Sequence, residues 1–235
     1  MRRVIRRLVT AAALVACMPP VLAAPRPAVV ELFTSEGCSS CPPAEIYVGE
    51  LAQRPGVLAL TFHVDYWDDL GWRDRFASPA ATQRQRAYAQ ALHLPSIYTP
   101  QAVIDGGQEF VGSDRRGVGA ALEKPRNGVA VGLALQQGAV VVDLPDQPGA
   151  QPSDVLLVAY QRHAITPIGR GENSGRTVEE TNVVREFHSL GRWSGQSRQF
   201  RADTRPLPAG ATDVAVLVQP LGQTLIIGAG TLALH

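Results

Sequence analysis

Short apolar runs alternate with amphipathic segments along the first half of the chain. Runs of this kind are typical of buried strands, while the segments between them have the spacing and the proline starts of helices. The predicted strands cover residues 28–33, 57–64, 101–104 and 109–111, and the predicted helices begin near residues 42, 78 and 114. Their order, β-α-β-α-β-β-α, predicts an α/β domain over residues 24–126.

The second half, residues 127–235, is rich in Val, Gly, Thr and Gln, with repeated Pro and Gly turns and almost no helical periodicity. The predicted strands cover 129–136, 139–144, 154–163, 177–190, 193–201, 214–219 and 224–234. This pattern predicts an all-β, sandwich-like domain after the first. The glycine-rich segment 169–176 lacks the ending of a phosphate-binding loop, so we expect a hairpin loop, relevant to chemistry only if it folds over a site.

The N-terminus has the pattern of an export signal. Four arginines precede an apolar run at 8–18, which is too short to span a membrane. A proline pair and small residues then lead to a cleavage point after Ala23. We therefore expect residues 1–23 to be a signal peptide and the mature protein to be periplasmic or secreted. The alternative is a lipobox ending at Cys17, which would become a lipidated N-terminus.

Removal of this segment changes the charge of the protein. The whole chain has a formal net charge of +1, and loss of the four arginines leaves −3. A mildly acidic chain without a basic stripe argues against nucleic-acid partners. We also expect no membrane span in the mature chain.

Two cysteines remain after export, Cys38 and Cys41, separated by two serines. Export places them where disulfides persist. They follow a predicted strand and precede a helix that starts at Pro42, so Cys38 would lie at a helix N-terminus, where unpaired N–H groups and the helix dipole stabilise a thiolate. Cys38 is therefore the candidate nucleophile, exposed and easily ionised. Cys41, one helical turn beyond Cys38, is the candidate resolving thiol.

Other uses of this cysteine pair stay open. A purely structural disulfide over about four residues would constrain the unfolded chain by only ~2 kcal/mol, which is a weak reason for the spacing. Zinc would need four ligands, and the sequence has no second cysteine pair. Copper accepts thiolates together with one imidazole, which would be that of His63. For disulfide exchange itself we expect neither a cofactor nor a bound metal.

Residues 29–45 and the segment that begins at Thr99-Pro100 resemble the thioredoxin superfamily. Members carry a strand, a CxxC pair at a helix start and, later, a proline opposite the disulfide. The resemblance implies a thioredoxin-like first domain and a cis peptide bond between Thr99 and Pro100, whose backbone groups hold a substrate segment beside the sulfurs. The chain departs from thioredoxin in having two serines between the cysteines and no Trp before them.

Three segments carry a closer resemblance, at 32–44, 63–67 and 98–101, and the first of them has the sequence LFTSEGCSSCPPA. Together with the β-rich second half, they are similar to a family of exported bacterial proteins of unknown function with a thioredoxin-like fold. This resemblance covers nearly the whole mature chain. It implies a fold and a compartment but no established activity.

Three further residues are candidates for the site. Glu31 lies on the strand that enters the motif, and the thioredoxin resemblance implies that a carboxyl there relays the proton of Cys41; a hydrogen-bonded structural role is the alternative. His63 and Trp67 lie at the end of the second strand, at the sheet edge where ligands collect in open α/β sheets. We consider both for substrate binding, with a packed structural cluster as the alternative.

These features predict an exported thiol-disulfide exchange protein that acts through Cys38 and Cys41. Its expected partners are exported proteins with thiols or disulfides and a redox partner protein. The alternatives are a non-catalytic binding module of thioredoxin-like shape and a periplasmic copper-binding or delivery protein.

Overall fold

A computed structural model gives the fold of the protein and describes residues 24–222 and 225–234. The predicted signal peptide and Cys17 lie outside these described residues. Within them the chain forms three helices and thirteen strands. None of the helices in this part of the chain is long and apolar enough to cross a membrane.

The helices begin where the sequence supplies start signals. They are α1 (Pro42–Leu51), α2 (Pro79–Ala91) and α3 (Arg115–Leu122). Both α1 and α2 start with proline, which has no N–H group and therefore leaves none unpaired in the first turn. Ser78 caps α2 by accepting a hydrogen bond of 3.2 Å from the N–H of Ala80. Asp114 caps α3 by accepting one of 3.0 Å from the N–H of Gly117.

The strands are β1 (Ala24–Pro25), β2 (Ala28–Thr34), β3 (Val57–His63), β4 (Gln101–Ile104), β5 (Gln108–Val111), β6 (Asn127–Gly128), β7 (Gly132–Gln136), β8 (Ala139–Leu144), β9 (Ser153–Pro167), β10 (Thr177–Trp193), β11 (Arg198–Asp203), β12 (Asp213–Pro220) and β13 (Gly228–Ala233). Among the described residues, eight of them form one mixed sheet in the order β13-β12-β9-β10-β3-β2-β4-β5. β2 and β3 run parallel, and β4 and β5 are antiparallel. The order from β2 to α3 is the predicted β-α-β-α-β-β-α.

Alternate residues of β2 face two different cores. Val30 and Leu32 pack with α1 and α3 on one face of the sheet. Val29 and Phe33 pack with α2 on the other face. Because side chains alternate along a strand, Glu31 shares the α2 face. The two faces therefore separate Glu31 from the helix that follows the cysteines.

The second half of the chain contributes to a sandwich-like packing of two sheets. β7, β8 and β11 form a three-stranded sheet, which packs on β9 and β12 through an apolar core. The strands β9, β10, β12 and β13, however, extend the sheet of the first half, because β10 pairs with β3 at Val183 and Thr61. The two halves of the described chain therefore share one continuous sheet. An apolar strand pattern does not specify the strand's neighbour.

Candidate functional site

Cys38 and Cys41 form a disulfide at the start of α1, with their sulfur atoms 2.09 Å apart. Cys41 is the N-cap residue of the helix, and Cys38 lies in the turn before it. Pro42 and Pro43 fill the first two helical positions and have no N–H, and the N–H of Ala44 donates to the Cys41 carbonyl at 2.9 Å. The first turn of α1 therefore lacks the unpaired amides that we expected to stabilise a Cys38 thiolate.

Both cysteines are fully buried, with 0% exposure each. The prediction that Cys38 is exposed is therefore wrong for the oxidised protein. The residues between them, Ser39 and Ser40, are exposed, and the hydroxyl of Ser40 lies 3.5 Å from Sγ of Cys38. The motif thus meets the solvent through its serines rather than through its sulfurs.

The main chain just before the disulfide is held by hydrogen bonds at successive residues. The N–H of Cys38 donates to the carbonyl of Ser35 at 3.0 Å, and the N–H of Gly37 donates to the Ser35 hydroxyl at 3.1 Å. The N–H of Glu36 donates to Oδ2 of Asp74 at 2.8 Å. Because each of these buried donors has a partner, the turn is held in one shape.

The hairpin loop between β9 and β10, residues 168–176, packs against the motif, and we call it the cover loop. The prediction of a hairpin loop is confirmed. The side-chain amide of Asn173 donates hydrogen bonds to the carbonyl of Glu36 at 2.9 Å and to the carbonyl of Cys38 at 3.0 Å. The second half of the chain therefore contacts the main chain on either side of Gly37, next to the disulfide.

Trp67, Thr99 and Pro100, predicted to bind substrate, lie beside the motif. The indole N–H of Trp67 donates a hydrogen bond of 2.9 Å to the hydroxyl of Thr99. The peptide bond between Thr99 and Pro100 is cis, as the resemblance implied. A Cβ at Gly37, next to Cys38, would lie 3.4 Å from Cβ of Trp67. The loop after β3 therefore contacts both the motif and the segment before β4.

Pro100 is buried next to the first turn of α1. A Cβ at Gly112 would lie 3.0 Å from Cβ of Ala44 and 3.1 Å from Cβ of Pro100, so both residues converge on one point. Ala44 belongs to the helical turn that follows Cys41. The start of β4 is thus close to the helix that carries the disulfide.

Glu31 is fully buried on the α2 face of the sheet. Its carboxylate accepts hydrogen bonds from two nitrogens of Arg84, at 2.8 and 3.1 Å, and from the hydroxyl of Tyr88. Since α1 packs on the opposite face, the structure does not bring this carboxylate to the cysteine pair. Of the two roles considered for Glu31, these contacts support the structural one.

His63 is buried between two carboxyl groups. Its Nδ1 lies 2.6 Å from Oδ2 of Asp74, and its Nε2 lies 3.6 Å from Oε1 of Glu180. Burial lowers the pKa of His63, but the charge and hydrogen bond of Asp74 outweigh burial and raise that pKa to about 9. Burial raises the pKa of Glu180 to about 7, the charge on His63 opposing it. His63 and Asp74 are therefore a charged pair at neutral pH.

Two more buried carboxyls, Glu36 and Glu45, flank the cysteine pair in the sequence. The hydroxyl of Thr34 donates to Oε1 of Glu45 at 2.7 Å, and the indole N–H of Trp72 donates to Oε2 of Glu36 at 2.6 Å. Burial raises the pKa of both carboxyls. With His63 they form a buried ionisable cluster at this end of the sheet.

Throughout residues 24–222 and 225–234, no group of three or more His, Cys, Asp or Glu side chains is placed to hold a metal ion. His63 directs its ring nitrogens toward Asp74 and Glu180. This geometry gives no support to a copper site that combines His63 with the two cysteines.

The family described as protein of unknown function (DUF1223) matches residues 29–219 of the chain. The chain belongs to the DUF1223 family. The crystal structure of protein AGR_C_4864 from Agrobacterium tumefaciens is similar, with 29% identity and a TM-score of 0.79 over 89% of this chain and 95% of that one. HBP35 of Porphyromonas gingivalis shares the fold, with 17% identity and a TM-score of 0.59 over 89% of this chain and 76% of that one. None of the curated proteins matches this chain in sequence.

The fold of this DUF1223 protein brings several of the predicted site residues together. These are Cys38, Cys41, Trp67, Thr99 and Pro100. Glu31 and His63 instead engage Arg84 and Asp74 in buried ion pairs. The gathered residues therefore define the candidate site.

Sequence reasoning about this DUF1223 protein did not single out Asn173 or the two buried carboxyls of Glu36 and Glu45. Asn173 bonds to main-chain atoms 137 and 135 positions earlier in the chain, and such a contact leaves no periodic pattern. A polar residue within the glycine-rich segment 169–176 was the one available signal. Glu45 occupies the first turn of a helix, where an acidic residue is ordinary and gives no sign of burial.

Proposed function

We propose that this DUF1223 protein exchanges disulfides with exported partner proteins through Cys38 and Cys41, on an N-terminal domain of thioredoxin-like fold. The observation that carries the proposal is the position of the disulfide, at the start of α1 and next to Trp67 and the Thr99-Pro100 segment. The predicted signal peptide supports an oxidising compartment, in which such a pair can be used.

The exchange consists of two displacement steps. A partner thiolate attacks the sulfur of Cys38, the bond between the two sulfurs breaks, and the sulfur of Cys41 leaves as a thiolate that takes up a proton. A second partner thiolate then attacks the partner sulfur of the mixed disulfide and releases Cys38, which also takes up a proton. The partner loses two electrons and the cysteine pair gains them. The same steps in reverse reduce a partner disulfide.

Cys38 is the sulfur that the proposal assigns to the mixed disulfide. Cys41 caps α1, and its carbonyl accepts the N–H groups of Ala44 and Glu45 at 2.9 and 3.2 Å, so moving it disrupts the helix. Cys38 lies outside the helix, next to the exposed Ser39 and against the cover loop. Cys38 can therefore move, together with the cover loop that contacts its carbonyl, without unwinding of α1.

The proposal assigns partner binding to the segment before β4. The carbonyl of Pro100 already accepts a hydrogen bond of 2.9 Å from the N–H of Gly112. We therefore propose that the main chain of Thr99 forms the hydrogen bonds with an extended segment of the partner. Trp67 orients this residue through its hydrogen bond to the Thr99 hydroxyl. The partner's cysteine would then lie next to the turn that carries Cys38.

The test is a redox titration of the full mature chain in glutathione buffers, with free thiols counted under native conditions. The proposal predicts that both thiols of the Cys38–Cys41 pair appear and disappear reversibly while the chain stays folded. A disulfide that resists reduction until the chain unfolds would make the pair structural and contradict the proposal. A reduced protein that does not reoxidise but binds one copper ion per chain would favour copper delivery. The Cys38→Ser variant supplies the baseline.

A further inference from the structure

Asn173 is the residue through which the cover loop holds the motif. Its side chain is 1% exposed, and its amide nitrogen donates to the carbonyls of Glu36 and Cys38, on either side of Gly37. Its amide oxygen accepts a hydrogen bond of 3.1 Å from Arg176, within the same loop. The oxygen of this side chain is thus bonded within the cover loop, and its nitrogen is bonded to the motif.

The cover loop is also packed tightly on the loop after β3. Gly171 has a φ of +75°, and a Cβ there would lie 3.1 Å from Cβ of Trp72. A second polar contact lies at the surface, where the hydroxyl of Ser39 donates to Glu172 at 2.6 Å. Water competes for that exposed contact, so the buried pair of bonds from Asn173 contributes more to holding the loop on the motif.

We propose that Asn173 is a positioning residue for disulfide exchange: its amide holds the Glu36-Gly37-Cys38 main chain and keeps the cover loop seated against the motif. The role in exchange rests on the proposed function, but the contact between Asn173 and the motif can be tested separately. Both sulfurs are fully buried, so a reductant or partner thiolate reaches them only after something moves. Moving the cover loop breaks both hydrogen bonds of Asn173. The strength of these bonds therefore sets how often the disulfide becomes accessible to a reductant.

The experiment measures the native-state rate at which a fixed concentration of a soluble phosphine reduces the disulfide. Asn173→Asp keeps the shape of the side chain and its oxygen facing Arg176, but it loses the N–H donor. We expect it to be reduced about thirtyfold faster than wild type, the effect of losing two net hydrogen bonds. Asn182→Asp is the matched control, because Asn182 also lies in this hairpin and donates to the carbonyl of Ala59 at 2.8 Å, away from the motif.

Asn173→Gln separates hydrogen bonding from packing. Glutamine keeps the amide donor and changes the shape, whereas aspartate keeps the shape and removes the donor. A positioning role predicts that the Gln variant is reduced more slowly than the Asp variant, and a packing role predicts the reverse order. Asn173→Ala removes the donor without adding a charge and should also be reduced faster than wild type, and urea unfolding of each variant verifies that the fold persists.

The inference is overturned if Asn173→Asp and wild type are reduced at equal rates, if Asn182→Asp is accelerated as much, or if the Gln variant is at least as fast as the Asp variant. These outcomes do not depend on a partner protein. Conversely, a Cys41→Ser variant that captures no exported protein would remove the proposed function, while a faster Asn173→Asp would still support the contact. The two failures are therefore distinguishable.

Discussion

The indole nitrogen of Trp67 donates a hydrogen bond of 2.9 Å to the hydroxyl of Thr99, and it joins the loop that packs on the cysteine turn to the segment before β4. Trp67→Phe keeps an aromatic ring and removes this donor. We expect partner capture to weaken about fivefold, as for the loss of one hydrogen bond. Reduction by a small phosphine should be unchanged, because it needs no bound segment.

Thr99→Val is the matched variant for this contact, since it removes the acceptor and keeps the β-branched shape. The Trp67→Phe and Thr99→Val effects should not add, because both variants lose the same bond. The measurement is the yield of mixed disulfide with a fixed concentration of partner. Additive losses would assign the two residues separate roles.

The buried pair of Glu31 and Arg84 predicts a loss of stability rather than of exchange. Arg84→Met leaves the carboxylate of Glu31 buried without its cation, which costs about 3–5 kcal/mol. The double variant Glu31→Leu with Arg84→Met should recover much of this free energy, because no lone charge is left. Urea unfolding measures both. Slower exchange in Glu31→Gln at unchanged stability would instead return Glu31 to the mechanism.

The His63–Asp74 pair predicts a pH-dependent stability. The pKa of His63 rises from 6.5 to about 9 on folding, because the charge of Asp74 outweighs the effect of burial. The stabilisation that the charged pair contributes to folding is complete below about pH 6.5 and is lost as the pH rises through about 9. The loss is on the order of 3 kcal/mol in the free energy of unfolding.

Urea unfolding between pH 6 and pH 10, roughly the range in which the pair titrates, measures this loss. Asp74→Asn removes the carboxylate that raises the pKa and should move the loss to lower pH. His163→Gln, a change at an exposed histidine, is the control and should keep the wild-type profile. A wild-type stability that is flat over this range would contradict the charged pair.

Local signals account for the parts of the fold that the sequence predicts. The helix starts follow from proline and from the caps at Ser78 and Asp114, and the apolar runs identify β2 and β3. The pairing of β10 with β3, at Val183 and Thr61, depends on residues 122 positions apart in the sequence. Hydrophobic periodicity does not encode such a pairing, so the continuity of the sheet was not foreseen.

The candidate site, like the fold, was predicted from the sequence only in part. The spacing of Cys38 and Cys41 and the Thr99-Pro100 pair are visible in the sequence and lie together in the fold. The burial of Cys38 and the hydrogen bond that its carbonyl accepts from Asn173, 135 positions later in the chain, were not predicted. Long-range side-chain to main-chain contacts of this kind depend on the assembled fold.

The central claim, disulfide exchange with exported proteins through Cys38, is tested most directly by trapping partners in cells with Cys41→Ser and Cys38→Ser variants. Without Cys41 the mixed disulfide on Cys38 has no resolving thiol, so exported proteins should accumulate as adducts that reductant releases on non-reducing gels. Cys38→Ser should trap few or none. Equal trapping by the two variants, or no adducts with either, would contradict the account.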